Sequence, residues 1–202
     1  MTVVDLNTGQ SREWSYTYND FGQLTSVDGP RDDVTDQTSI IYYDCDIGGE
    51  CGQVQTITNG LGHVVTFNSY DEHGYPTQIT DANGIVTTMT YDHRRRLTST
   101  TVDGFATTID YDPHGEINRV TQSDGTYLAF VRDDANRLIG VTDGQGNRIE
   151  WTLDNAGNRI GEKFVDPGGQ IRKSLQYQYD ELSRMRGMVY AHGGTYLSLI
   201  HI

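Results

Sequence analysis

At 202 residues, with 28 acidic against 15 basic side chains and a formal charge of −13, the chain lacks the cationic surface that phosphate binding draws on, which argues against a nucleic-acid partner. Hydrophobic residues make up only 35%, and no run approaches the roughly eighteen apolar positions of a membrane-spanning helix, so no membrane insertion is expected. The 23 glycines are many and the hydrophobic share low for a compact enzyme; with 13 tyrosines, much of the burial is expected from rings with a polar tip.

Residues 1–13 form a lead-in that reads as part of a preceding repeat, and Met1-Thr-Val-Val-Asp-Leu6 shows neither the charged nor the apolar region of a secretory signal. From Trp14 onward a Tyr-Asp-x-x-Gly signature recurs. Its first residues are Tyr18, Tyr43, Tyr70, Tyr91, Tyr111, Arg132, Leu153 and Tyr179, giving intervals of 25, 27, 21, 20, 21, 21 and 26. A period of that size marks an array, here of about eight copies over residues 14–196. The second position is Asn19 and then Asp44, Asp71, Asp92, Asp112, Asp133, Asp154 and Asp180, residues whose short side chains bond nearby backbone in turns. Three residues later stand Gly22, Gly74, Gly115 and Gly157, with Arg95, Asn136 and Ser183 as replacements and Gly52 displaced by an insertion. Glycine and asparagine there predict a tight turn needing positive φ, and Arg95 is the exception to watch.

Between turns the pattern is extended, with Trp14, Tyr16 and Tyr18 on one face, then Ile149, Trp151 and Leu153, then Leu175, Tyr177 and Tyr179. After each turn two apolar residues stand three apart, as in Leu24/Val27, Val54/Ile57, Ile117/Val120 and Leu138/Val141, which a strand accommodates with a bulge. Each copy therefore reads as one β-hairpin. Its second turn is expected at Asp28-Gly29, Asn59-Gly60, Asn83-Gly84, Asp103-Gly104, Asp124-Gly125 and Asp143-Gly144. The fold class is all-β, a ribbon of tandem antiparallel hairpins.

Candidate chemistry is sparse. Cys45 and Cys51 flank the insertion in the second copy, where a disulfide, two reduced thiols or a metal site are the alternatives. Two cysteines are too few for a structural zinc site, and His63 has no partner at recognisable spacing. Asp44-x-Asp46 begins like a calcium loop but has Gln55 where a closing Glu is needed, and a weak cation site at Asp28 to Asp36 is the remaining metal reading. His73, His93 and His114 sit at turns and read as repeat decoration, Arg94-Arg95-Arg96 as an exposed tip or an acidic-partner patch. No nucleophile, base and acid set or phosphate loop stands out, so no residue is assigned as catalytic, cofactor-binding or metal-binding. The final Leu197-Ser-Leu-Ile-His-Ile202 breaks the pattern and resembles translated sequencing-library adapter, so residues 197–202 are expected to be an artefact.

The run Tyr70-Asp-Glu-His-Gly-Tyr-Pro-Thr-Gln-Ile-Thr-Asp-Ala-Asn-Gly84, with Tyr91-Asp92, Tyr111-Asp-Pro-His-Gly115 and Asp154-Asn-Ala-Gly-Asn-Arg159, resembles the Rhs (rearrangement hotspot) or YD-repeat proteins of Gram-negative bacteria, over nearly all of residues 14–190. The resemblance implies a hairpin ribbon that curves as part of a larger hollow β-shell around a C-terminal toxin or other cargo. It also implies, as partners, neighbouring repeats of one longer polypeptide and the enclosed domain, with the parent protein secreted or at the cell surface. Similar repeats build the shell of insecticidal toxin complexes and part of the teneurin adhesion proteins. Many Rhs shells end in a self-cleaving core with an Asp-Pro-x-Gly signature. Asp166-Pro-Gly-Gly169 shares those letters but lies between copies and lacks the apolar residue that follows, so a turn is expected. The alternative is a carbohydrate-binding or adhesive module whose Trp14 and Trp151 stack on glycans.

Overall fold

The computed structural model describes residues 2–4, 11–31, 33–45, 50–192 and 195–201. The chain divides into two units, Met1–Gly104 and Phe105–Ile202. In the first, β1 (Thr2–Val4) pairs only with β2 (Ser11–Glu13), and a meander follows: β3 (Ser15–Tyr18), β4 (Leu24–Asp28), β5 (Thr38–Tyr42), β6 (Val54–Thr58), β7 (Val64–Tyr70), β8 (Pro76–Thr80), β9 (Val86–Tyr91) and β10 (Leu97–Val102). Each strand of the meander pairs antiparallel with the next. The second unit repeats the scheme with β11 (Phe105–Tyr111), β12 (Ile117–Gln122), β13 (Tyr127–Arg132), β14 (Leu138–Asp143), β15 (Arg148–Leu153), β16 (Arg159–Val165), β17 (Ile171–Tyr179), β18 (Met185–His192) and β19 (Thr195–His201).

Two-residue periodicity sorts the side chains. One face carries directly opposed apolar pairs: Tyr16 with Val27, Ile40 with Ile57, Ile109 with Val120, Phe130 with Val141, Ile149 with Phe164 and Leu175 with Tyr190. The other carries threonine pairs such as Thr56 with Thr66, Thr66 with Thr80, Thr88 with Thr101 and Thr108 with Thr121. Bulges reconcile this alternation with the apolar spacing of three. Tyr18 faces Leu24 while Thr17 faces Ser26, leaving Thr25 unpaired, and the same slip recurs at Gln55, Thr98, Asn118, Ile139, Ile160 and Arg186. The extra residue returns Leu24 and Val27 to one face.

Within each unit, strands contact their sequence neighbours, and among the described residues no second layer covers the sheet. Val165, Leu175 and Ala191, all in the second unit, are the only buried hydrophobic side chains among the described residues. Stability therefore accrues copy by copy through neighbour contacts, as in other repeat arrays.

Candidate functional site

With few buried side chains among the described residues, the features that recur along the array are the turns and the bonds between copies. Most turns open at an Asp or Asn whose N–H donates to the carbonyl four residues on and whose own carbonyl accepts the N–H three residues on, at 2.8 to 3.1 Å. The residue in that third place is left-handed: Gly22 at φ +76°, Gly74 at +83°, Gly115 at +99° and Gly157 at +87°. Arg95 (+65°), Asn136 (+61°) and Ser183 (+58°) adopt the same conformation. The backbone thus overrides side-chain preference, at a cost of about 1–2 kcal/mol for an L-residue such as arginine.

The carboxylate completes the turn. Oδ1 of Asp71 accepts the N–H groups of His73 and Tyr75, and Asp92, Asp133, Asp154 and Asp180 do the same with their residues two and four ahead. Asp112 accepts from Glu116. The second oxygen binds the side chain four residues on: Arg96 on Asp92, Arg137 on Asp133 and Arg184 on Asp180, and the Asn158 amide on Asp154. The Arg96 N–H, followed by its guanidinium, holds the Asp92 carboxyl down to about 2. The Arg137 guanidinium lowers Asp133 and the Asn158 amide lowers Asp154.

The tyrosine slot joins one copy to the copy before it. Tyr70 Oη donates to the carbonyl of Val54 at 2.6 Å, Tyr91 to Pro76 at 2.9 Å and Tyr179 to Arg159 at 3.1 Å, in each case to the residue that opens the strand after the previous copy's turn. Burial pushes the Tyr70 phenol up to about 12. Tyr18, on β3, is 61% exposed, and Tyr111 lies opposite Ile117 in the same slot. A second ladder runs along the turns: Gln23 Nε2 donates to Gly52 O at 2.8 Å, Arg137 Nη1 to Asp154 O at 3.0 Å and Asn158 Nδ2 to Ser183 Oγ at 3.0 Å.

Two expectations need correction. Tyr43 and Asp44 do not occupy the Tyr and Asp slots of the second copy. Ile40 opposes Ile57 and fixes a register in which Tyr42 faces Val54, and Tyr42 Oη donates to Leu24 O at 2.8 Å as the other slot tyrosines do. Tyr43 then takes the Asp position, its N–H on Gln53 O and its carbonyl accepting from Gly52, with Asp44 in the insertion. Eight residues, 44–51, stand where other turns have two, and Cys45 and Cys51 are joined there as a disulfide with Cα atoms 4.2 Å apart. Asp46 lies outside the described residues, as does Asp32.

The second turns differ as well. At Asn59-Gly60 and Asp143-Gly144 the left-handed residues are Gly62 and Gly146, because Asn59 and Asp143 open the same four-residue turn as the Tyr-Asp copies. Asp81, Gln122 and Asp166 open it too, closing at Gly84, Gly125 and Gly169. The signal missed in the sequence was Asx-x-x-Gly at the half period. Gly29 does not adopt positive φ, whereas Asp103 and Gly104 both do.

Arg94 and Arg95 point outward while Arg96 lies on Asp92, so the basic run is no continuous patch. His73, His93 and His114 are exposed, and among the described residues no group of three or more His, Cys, Asp or Glu is placed to hold a metal. The Arg159 guanidinium lies over one face of the Trp151 ring, 4.4 Å from its centre.

Comparison with known proteins places these features. The family described as teneurin YD-shell matches residues 50–170. The double-stranded DNA deaminase toxin A of Burkholderia cenocepacia (strain H111) is 35% identical over 114 residues, 56% of this chain and 8% of that protein. Among solved structures, the Tc holotoxin pore of Photorhabdus luminescens superposes with a TM-score of 0.75 at 17% identity, over 95% of this chain and 11% of that one. A TcdB2-TccC3-TEV structure gives 0.74 at 16% identity, over 95% and 11%. The chain spans about a tenth of these proteins and shares the fold of the two solved structures over that length.

Proposed function

Because the chain belongs to the teneurin YD-shell family, we propose that it is a length of wall from the shell of a secreted Rhs-type toxin or effector, enclosing a C-terminal cargo or toxin domain. The observation that carries this reading is the pair of copy-to-copy ladders. Slot hydroxyls reach back to the previous copy and turn side chains reach forward to the next, so the same bonds can extend an array without limit. Most polar groups of the recurring motif bond within their own turn or to the adjacent copy, and on this reading the motif serves as a barrier with no reaction centre. The proposed partners are neighbouring repeats of one longer polypeptide and the enclosed domain. Double-stranded DNA deamination, named for the relative, is not assigned to a chain matching 8% of it. Glycan binding gains no support from Trp151 beneath Arg159.

The test is protease protection in the complete reading frame. The region after the last repeat should resist protease while the array is intact and become sensitive in a Tyr70→Ala/Tyr91→Ala variant. A frame without further copies, or a downstream region digested equally fast in both proteins, would overturn the reading.

A further inference from the structure

Asn59 opens the turn between β6 and β7, exposed to solvent; its Oδ1 cradle is shared with Asn19, but among the described residues Asn59 alone combines that cradle with a histidine beside the amide nitrogen and a glycine next in sequence. Oδ1 accepts two backbone N–H groups, from Leu61 and His63, each at 3.0 Å. Nδ2 stands 3.4 Å from Nδ1 of the His63 ring. The following residue is Gly60, which has no side chain to shield its nitrogen and whose N–H donates no backbone hydrogen bond among the described turn contacts. Asn83-Gly84 is the same dipeptide in a different setting, with the Gly84 N–H already bound to Asp81 O at 3.0 Å.

We propose that Asn59 is a self-modification site, where the folded turn promotes loss of its own side-chain amide. The Gly60 nitrogen bonds to Asn59 Cγ, and the charge developing on Oδ1 is held by the Leu61 and His63 N–H groups, the arrangement that stabilises oxyanions in acyl transfer. The Cγ–Nδ2 bond then breaks. The proton lost by Gly60 is matched by the one the departing nitrogen gains, relayed through His63 or water, and ammonia leaves behind a five-membered imide. Water opens the imide at either carbonyl, giving aspartate or isoaspartate.

The two products differ in consequence. Aspartate restores the residue type of Asp71, Asp81 and Asp92, whose Oδ1 atoms accept the same pair of N–H groups, so the turn persists with one added negative charge. Isoaspartate lengthens the backbone within the pair formed by Asn59 N–H with His63 O and Gly62 N–H with Asn59 O, and the turn is lost. Gly60 also packs against the backbone of Thr35 and Asp36, so the loop between β4 and β5 loses its support.

The experiment follows the full chain at neutral pH by peptide mass mapping, with isoaspartate detected by enzymatic methyl labelling. The Asn59 peptide should convert at least about tenfold faster than the Asn83 peptide, and His63→Gln should slow Asn59 by a similar factor without changing the melting temperature. In denaturant both peptides should convert at one rate, which ties the difference to the fold. Equal rates in the folded chain, or faster conversion of Asn83, would overturn the proposal, and an unchanged rate in His63→Gln would remove the histidine from it. An Asn59→Asp control should melt like the unmodified protein; a large drop would show that the turn does not tolerate the acid.

Discussion

The slot that joins copies is filled differently in the two units. In the first, Tyr42, Tyr70 and Tyr91 each donate a phenol proton to the opening carbonyl of the preceding copy. In the second, Arg132 takes the slot and reaches the Glu116 carboxylate at 3.3 Å, while Leu153 offers no polar atom at all. Where leucine stands, cohesion shifts to the turn edge, with Arg137 bound to Asp154 O and Asn158 to Ser183 Oγ, before Tyr179 restores the phenol bond. What the array keeps is therefore a position facing the previous copy. The chemistry there is exchangeable: a phenol on a carbonyl, a guanidinium on a carboxylate and an apolar side chain all occupy it.

That comparison can be broken at the turns first. Gly157→Val should cost about 1–3 kcal/mol, since Gly157 sits at φ +87° with nothing within 4 Å of an added Cβ, which leaves backbone strain as the cause. Denaturant titration checks it, and an unchanged midpoint would refute the turn assignment. Arg95→Gly, at φ +65°, should be neutral or stabilising by the same measurement. Next in size, Tyr70→Phe should lose about 1 kcal/mol with the bond to Val54, whereas Tyr18→Phe should lose almost nothing. Equal losses would mean that ring packing, and not the hydroxyl, defines the slot.

A smaller effect is expected in acid. The Asp92 carboxyl is depressed to about 2 in the folded chain, so its contribution is complete above the ordinary carboxylate range and is lost as the pH falls from about 4 toward 2. Asp92→Asn should flatten the stability curve in that window and leave its slope at neutral pH unchanged. The smallest effect belongs to Arg31 and Asp33, both largely exposed, where Arg31→Ala should leave the melting temperature within error.

Much of the fold is legible along the sequence. Asx residues followed three places on by Gly or Asn mark most of the turns because those backbones and side chains suit them best, and apolar pairs three apart mark the bulges. The tyrosine ladder is legible as a period but not as bonds, since a phenol proton crossing to another copy leaves no trace in local spacing. The amide environment of Asn59 was equally hidden, although its letters were read as a turn.

The sequence by itself determined the repeat, the alternation of faces and the left-handed turn position, because each depends on conformational preferences spanning a few neighbouring residues. Only the tertiary structure decided that Tyr42 and not Tyr43 fills the second slot, and that Asn59 and Asp143 open turns that Gly62 and Gly146 close. Register is settled between strands, by Ile40 meeting Ile57 across the sheet, and no local pattern can report which residue of one strand a distant residue will face.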